Sequence, residues 1–115
     1  MNISINENNF NVKVCSTPLE QKKGMQGIVF DGSFDGMIFP MKGKYQSFWM
    51  KDCLVSLDII MIDDNIISRI HHKCPPCSKV DCPSYHGEGN LVLELPGGTC
   101  KLLGIVEGDL VEYDL

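Results

Sequence analysis

Turn-forming residues interrupt this chain so often that long helices are excluded. Gly24, Gly27, Asp31-Gly32, Asp35-Gly36, Gly43, Asp64-Asn65, Pro96-Gly97-Gly98, Gly104 and Glu107-Gly108 are all residues that reverse or break the backbone. The apolar runs between them have the length of strands. Residues 10–15 alternate as Phe10, Val12 and Val14, the period of a half-buried strand. Short runs follow at 28–30 and 37–39. Residues 48–62 are long enough for two strands with a bend near 53–56. Asp64-Asn65 is the turn of a hairpin whose returning strand is 66–71. Residues 91–95 form a further strand, and 106–111 cross a turn into a last one.

Two brief helices complete the reading. Thr17, Pro18 and Glu20 make a capping box with proline at the first helical position, and Gly24 ends the helix within two turns. Thr99 caps one helical turn over 101–103, closed by Gly104. The expected fold is all-β: a small barrel or sandwich of short, mainly antiparallel strands with one or two short helices. The 115 residues make a single domain, 1–115, with 1–9 as a loose N-terminal end or an edge strand and 74–90 as loop.

Charge narrows the partners. The formal net charge is −5 and no run of Lys or Arg is present. Nucleic-acid backbones and anionic membrane surfaces both need a basic patch, so neither is expected. No apolar leader opens the sequence and no stretch reaches the ~18 apolar residues of a membrane span. The expected location is cytoplasmic. The expected partner is an unspecified small molecule or protein, and oligomeric state is left open by edge strands free to pair.

The most apolar segment, residues 47–63, also holds Lys51, Asp52 and Asp58. Alternate side chains of a strand share a face. Asp58 then lies with Ile60 and Ile62, Lys51 with Trp49 and Cys53, and Glu94 with Val92. Each charge points outward to solvent, or the three meet, because one isolated ion in an apolar interior costs several kcal/mol. If they meet, Lys51, Asp58 and Glu94 form a polar cluster in a barrel mouth or groove walled by Phe48, Trp49 and Met50. Trp49, Lys51, Asp52, Asp58, Tyr85 and Glu94 are the ligand-binding candidates. The alternative is a small acid–base enzyme using Asp58 or Glu94, with Lys51 as electrostatic partner. No nucleophile elbow or phosphate loop stands beside them, so no catalytic residue is assigned.

Three of the six cysteines fall in one loop, as Cys74, Cys77 and Cys82. Zinc takes four thiolate or imidazole ligands in a tetrahedron, and Cys74 and Cys77 have a suitable spacing. Cys82 with His86 or His72 would complete the set. No cofactor is otherwise implied, and zinc holding 74–86 together is one reading of this loop. A Cys77–Cys82 disulfide is another, disfavoured in a reducing cytosol, and free thiols are the third. Cys15, Cys53 and Cys100 read as buried small hydrophobes, and the methionines as core filler.

The order of motifs resembles one family. A capped turn ends in Gly24-Met25. Then come Gly36-Met37-Ile38-Phe39, Phe48-Trp49-Met50-Lys51-Asp52, Leu57-Asp58-Ile59-Ile60, Leu91-Val92-Leu93-Glu94-Leu95 and Gly108-Asp109. This order is similar to that of the domain-of-unknown-function 192 family and covers roughly residues 15–111. The resemblance implies a small, mostly β, barrel-like domain with no established general activity. It implies that Cys77 and Cys82 act as a pair, with Cys74 the extra thiol, since Pro75-Pro76-Cys77 and Cys82-Pro83 match a family pattern. It also favours the meeting of the embedded charges, which lie in the family's motifs. The function expected is a binding or accessory module, with an acid–base enzyme and a zinc-stabilised module as alternatives.

Overall fold

The turn signals become strand ends. A computed structural model describes residues 1–114. Its elements in chain order are β1 (Asn2–Ile5), β2 (Asn8–Val14), α1 (Pro18–Lys23), β3 (Gly36–Pro40), β4 (Tyr45–Trp49), β5 (Leu57–Asp63), β6 (Ile66–Cys74), β7 (Ser84–Glu88), β8 (Leu91–Pro96), α2 (Thr99–Leu103) and β9 (Val111–Tyr113). Seven strands form one sheet in the order β6-β5-β8-β3-β2-β1-β9, and β4 pairs with β7 in a separate two-stranded ribbon. The sheet curls into a half-barrel. Its pairings are antiparallel except β2 with β3. The expected all-β class holds.

Both faces of the central strands are buried, which is why β5 and β8 carry almost unbroken apolar runs. Ile60, Ile62, Leu93 and Leu95 point to one face, where Ile3, Ile5 and Cys100 join them. Leu57, Ile59, Met61 and Val92 point to the other, with Met25, Phe39 and Met50. Each fully buried Leu, Ile, Phe or Met contributes roughly 1.5–3 kcal/mol by leaving water. The second face supports the site.

Several local expectations are realised. The Thr17 hydroxyl accepts from the Glu20 N–H, and the Glu20 carboxylate accepts from the Thr17 N–H, so the capping box is complete. Asp64 and Asn65 take φ of 50° and 65°, the left-handed pair that a two-residue hairpin turn requires.

Others are corrected. Residues 1–9 are not a loose end: β1 lies between β2 and β9, with Ile3 and Ile5 buried. Asn6 and Glu7 make its tight turn at positive φ, which polar composition hid as a loop. Residues 28–30 form no strand. The loop expected over 74–90 contains β7, whose polar sequence lacks an apolar alternation. The bend in the apolar segment begins earlier than expected, at residue 50, and Asp52 there has φ 57°. Thr99 does not cap α2; Gly98 holds the cap position, and the Thr99 hydroxyl donates to the Pro96 carbonyl at 2.7 Å.

Candidate functional site

A cleft of about 270 Å³ opens on the second face of the sheet, between α1, the end of β4 and the 50–53 turn. Its walls are Met25, Phe39, Phe48, Trp49 and Cys53, and Glu94 of β8 forms its floor. Local structure sets each wall. The capping box starts α1, and Gly24 ends it at φ 46°. A Cβ at Gly24 would stand 3.5 Å from the Phe39 ring, so the chain turns close over that ring. Residues 24–27 are then tied to the 50–53 turn. The Gly27 N–H donates to the Asp52 carbonyl at 3.1 Å, and Gln26 bridges to Cys53. The turn is braced from behind. The Cys77 N–H donates to the Met50 carbonyl at 3.2 Å, and the Asp52 N–H to the Cys77 carbonyl at 2.9 Å. Lys22, Lys23, Gln21 and Gln26 stand around the rim. Trp49 is 48% exposed and forms the lip.

Glu94 dominates the chemistry of this cleft. It sits opposite Met37 on β3 and Ile59 on β5, so its side chain leaves the sheet on the apolar second face. It is 4% exposed. No hydrogen bond reaches its carboxyl among the described residues, and none of their fully buried side-chain oxygens is left without a partner, so the carboxyl oxygens open into the cleft that Glu94 lines. Burial alone pushes its pKa up to about 8, because low dielectric disfavours the charged form. The neighbouring thiols stay neutral: burial pushes Cys15, Cys53 and Cys74 each up to about 11.

The structure does not bring Lys51, Asp58 and Glu94 together. Asp58 pairs in register with Leu95 while Glu94 pairs with Ile59, and residues opposite one another share a face. Asp58 and Glu94 therefore leave opposite faces of the sheet. Asp58 is fully buried, and its carboxylate accepts from the N–H groups of Lys73 at 2.9 Å, Gly98 at 3.0 Å and Cys100 at 2.9 Å. It holds the 97–100 turn against β6, a structural role. The Lys51 ammonium donates to the Lys79 carbonyl. The meeting of charges fails because peptide groups, not opposite charges, satisfy Asp58 and Lys51. The acid–base arrangement built from Lys51 with either carboxylate fails with it.

The other candidates divide. Trp49 and Phe48 line the cleft, while Met50 is wholly buried beneath it. Asp52 is exposed on the turn and does not line the cleft. Tyr85 lies across from Phe48 on β7, with its ring 5.3 Å from that of His71. It also lies outside the cleft walls. Sequence reasoning missed Met25, Phe39 and Cys53 as wall residues and Gln26 at the rim. Phe39 carried a usable signal, since β3 and β8 were both legible as strands; only their register was absent.

The cysteine loop holds a disulfide. Cys77 and Cys82 are bonded, with Cα atoms 5.9 Å apart, and Cys74 is free and buried. This is the pairing the resemblance implied. Zinc held by Cys74, Cys77, Cys82 and His86 is not assembled. The bridge consumes two of the ligands, and the Cys74 thiol turns inward, 3.4 Å from the His71 carbonyl. Among the described residues no group of three His, Cys, Asp or Glu side chains is placed to hold a metal. Cys15, Cys53 and Cys100 are buried, as expected.

Comparison with known proteins agrees with this architecture. The family model described as an uncharacterized ACR, domain of unknown function 192, matches residues 1–113. The chain belongs to the domain-of-unknown-function 192 family. Two solved structures resemble this family member throughout. One is described as a candidate transcription regulator from Sinorhizobium meliloti 1021. It is 25% identical, with a TM-score of 0.86, over 96% of this chain and 91% of that one. The other is a protein of unknown function from Novosphingobium aromaticivorans DSM 12444. It is 29% identical, with a TM-score of 0.87, over 98% of this chain and 84% of that one. No curated protein matches the chain.

Proposed function

We propose that this protein is a small-molecule binding module whose site is the cleft floored by Glu94. One observation carries the reading: a carboxyl almost fully removed from water, without a hydrogen-bond donor among the described residues, opens into a cavity with aromatic and thioether walls. A carboxyl that no protein donor serves is left to the water of the cleft or to a ligand there. Ligand sites are where folds retain such groups, and an apolar pocket with few polar groups is their usual form. The volume fits a compact organic molecule rather than a polymer.

The description of the Sinorhizobium meliloti protein as a candidate transcription regulator raises nucleic acid as a ligand. A net charge of −5 supplies no electrostatic footprint for a phosphate backbone, so a small ligand is preferred. An acid–base enzyme is the second reading, favoured by a Glu94 pKa near neutrality. The disulfide bears on location. A Cys77–Cys82 bridge persists in an oxidising compartment, which favours that setting over the cytoplasm expected from the sequence.

Trp49 is the single tryptophan and stands at the cleft lip, so its fluorescence reports occupancy. A library of small organic molecules is screened by Trp49 emission, and the hits are mapped by amide NMR. Hits that move the amides of Gly24, Gln26 and Ser47 support the reading. A library with no hits, or hits that all map elsewhere, refutes it.

A further inference from the structure

The chemistry of the same cleft indicates the class of ligand. We infer that the cleft takes a compact organic cation, an ammonium group on an apolar or aromatic body, with the cationic head against the Glu94 carboxylate. This rests on the binding-cleft reading above and adds the charge of the ligand.

Three observations carry it. First, the cleft floor holds an acid and no base. Among the described residues no lysine, arginine or histidine is paired with Glu94; Lys22 and Lys23 line the same cleft but are exposed, and burial is what raises the Glu94 pKa. Second, the walls suit a cation. Phe39, Phe48 and Trp49 present aromatic rings and Met25 a thioether. Desolvated cations are held over aromatic faces, and quaternary ammonium groups are recognised by such cages. Third, the site is preformed. The 24–27 segment, the 50–53 turn and the 77–82 loop are tied by backbone hydrogen bonds, so the walls do not have to be ordered by the ligand.

The charged and titratable groups facing Glu94 leave it as the one that switches. Cys15 comes from the end of β2, Cys53 from the turn and Cys74 from β6; all three remain neutral thiols well above neutral pH. Lys22 and Lys23 are at the exposed rim. Met37 and Phe39 of β3 and Ile59 of β5 carry no charge. In the empty cleft at neutral pH Glu94 is mostly protonated. A bound cation requires the carboxylate, so binding releases one proton to solvent: carboxylic acid plus cation gives the carboxylate–cation pair and H⁺. Affinity then rises about tenfold per pH unit below the Glu94 pKa and levels off above it.

The test uses three probes of similar shape: phenyltrimethylammonium, neutral tert-butylbenzene and anionic benzoate. Binding is followed by Trp49 fluorescence and amide NMR from pH 6 to 9. The expected result is cation binding at the cleft amides, about eightfold tighter at pH 8.5 than at pH 7 for a Glu94 pKa of about 8, with benzoate not binding. Glu94→Gln loses the cation at least tenfold at pH 8.5 and keeps the neutral probe. If the neutral probe or benzoate binds the cleft as well as the cation, or if cation affinity does not rise with pH, the ligand class is overturned while the binding cleft stands. If no probe moves the cleft amides, the inference is overturned, and the library screen alone decides the cleft. The wild-type pH profile decides the matter even if Glu94→Gln does not fold.

Discussion

Replacing Asp58 tests whether this charge is structural. Its carboxylate receives three backbone N–H groups. In Asp58→Ala all three lose their acceptor. The Cys100 N–H bond is fully buried, so its loss costs about 2–3 kcal/mol. The Lys73 and Gly98 bonds are only partly buried. Water replaces the carboxylate there, and each costs roughly 0.5–1 kcal/mol. Relief of the aspartate's own desolvation offsets part of this, giving a net loss of about 3 kcal/mol. With a urea m-value of about 1.5 kcal/mol/M, the midpoint of unfolding falls by about 2 M. Asp58→Asn keeps one oxygen and loses roughly half as much. Urea denaturation followed by Trp49 fluorescence measures both. Because Asp58 and Glu94 leave opposite faces, cleft amides in folded Asp58→Ala keep their positions in the NMR spectrum. A midpoint shift under about 0.5 M, or cleft amides that move while stability holds, would refute the structural assignment.

Three more outcomes follow from the same structure. Glu94 has a folded pKa of about 8 against an ordinary 4.5, so the folded state binds more protons between those values. Its contribution to stability is fully present below pH 4.5 and declines until about pH 8, on the order of 4–5 kcal/mol in all. Denaturation at pH 5 and pH 9 should show wild type losing stability relative to Glu94→Gln; parallel profiles for the two proteins would contradict this. Gly36→Ala drives a methyl into the Glu94 carbonyl and the Leu95 side chain. It should separate β3 from β8, costing about 1–3 kcal/mol and shifting the cleft amides; thermal unfolding with amide NMR checks both, and an unchanged melting temperature would contradict the packing. Thr17→Ala removes the α1 cap, with an expected loss of about 1 kcal/mol by urea titration; no loss would mean that α1 is held by its tertiary contacts alone.

How much of this was legible depends on whether the determinant was local. The α1 capping box and the Asp64-Asn65 turn are settled by adjacent residues, and both were readable. The face each side chain takes within β5 and β8 was also readable from alternation. What joins two strands is register, and register comes from the whole sheet. Asp58 and Glu94 each share a face with apolar neighbours, but only the Asp58–Leu95 and Ile59–Glu94 pairings show that those faces are opposite. A buried charge also need not be answered by another charge. For Asp58 the N–H groups at Gly98 and Cys100 answer it, and no side-chain pattern reveals backbone donors. β7 escaped because Ser84, His86 and Glu88 face outward and its pairing with β4 supplies the order. The disulfide was implied by the family resemblance, while the loop's own residues left zinc and free thiols open.

The account depends most on an isolated acid beneath apolar walls. Carbon-13 NMR of the Glu94 side-chain carboxyl, titrated from pH 3 to 10 in the unliganded protein, measures that acid directly. A midpoint near 8 is the result predicted by a desolvated, unpartnered carboxyl. A midpoint in the ordinary range of about 4–5 would mean that water or a cation already serves the carboxyl, and the desolvated acid at the centre of the account would be contradicted.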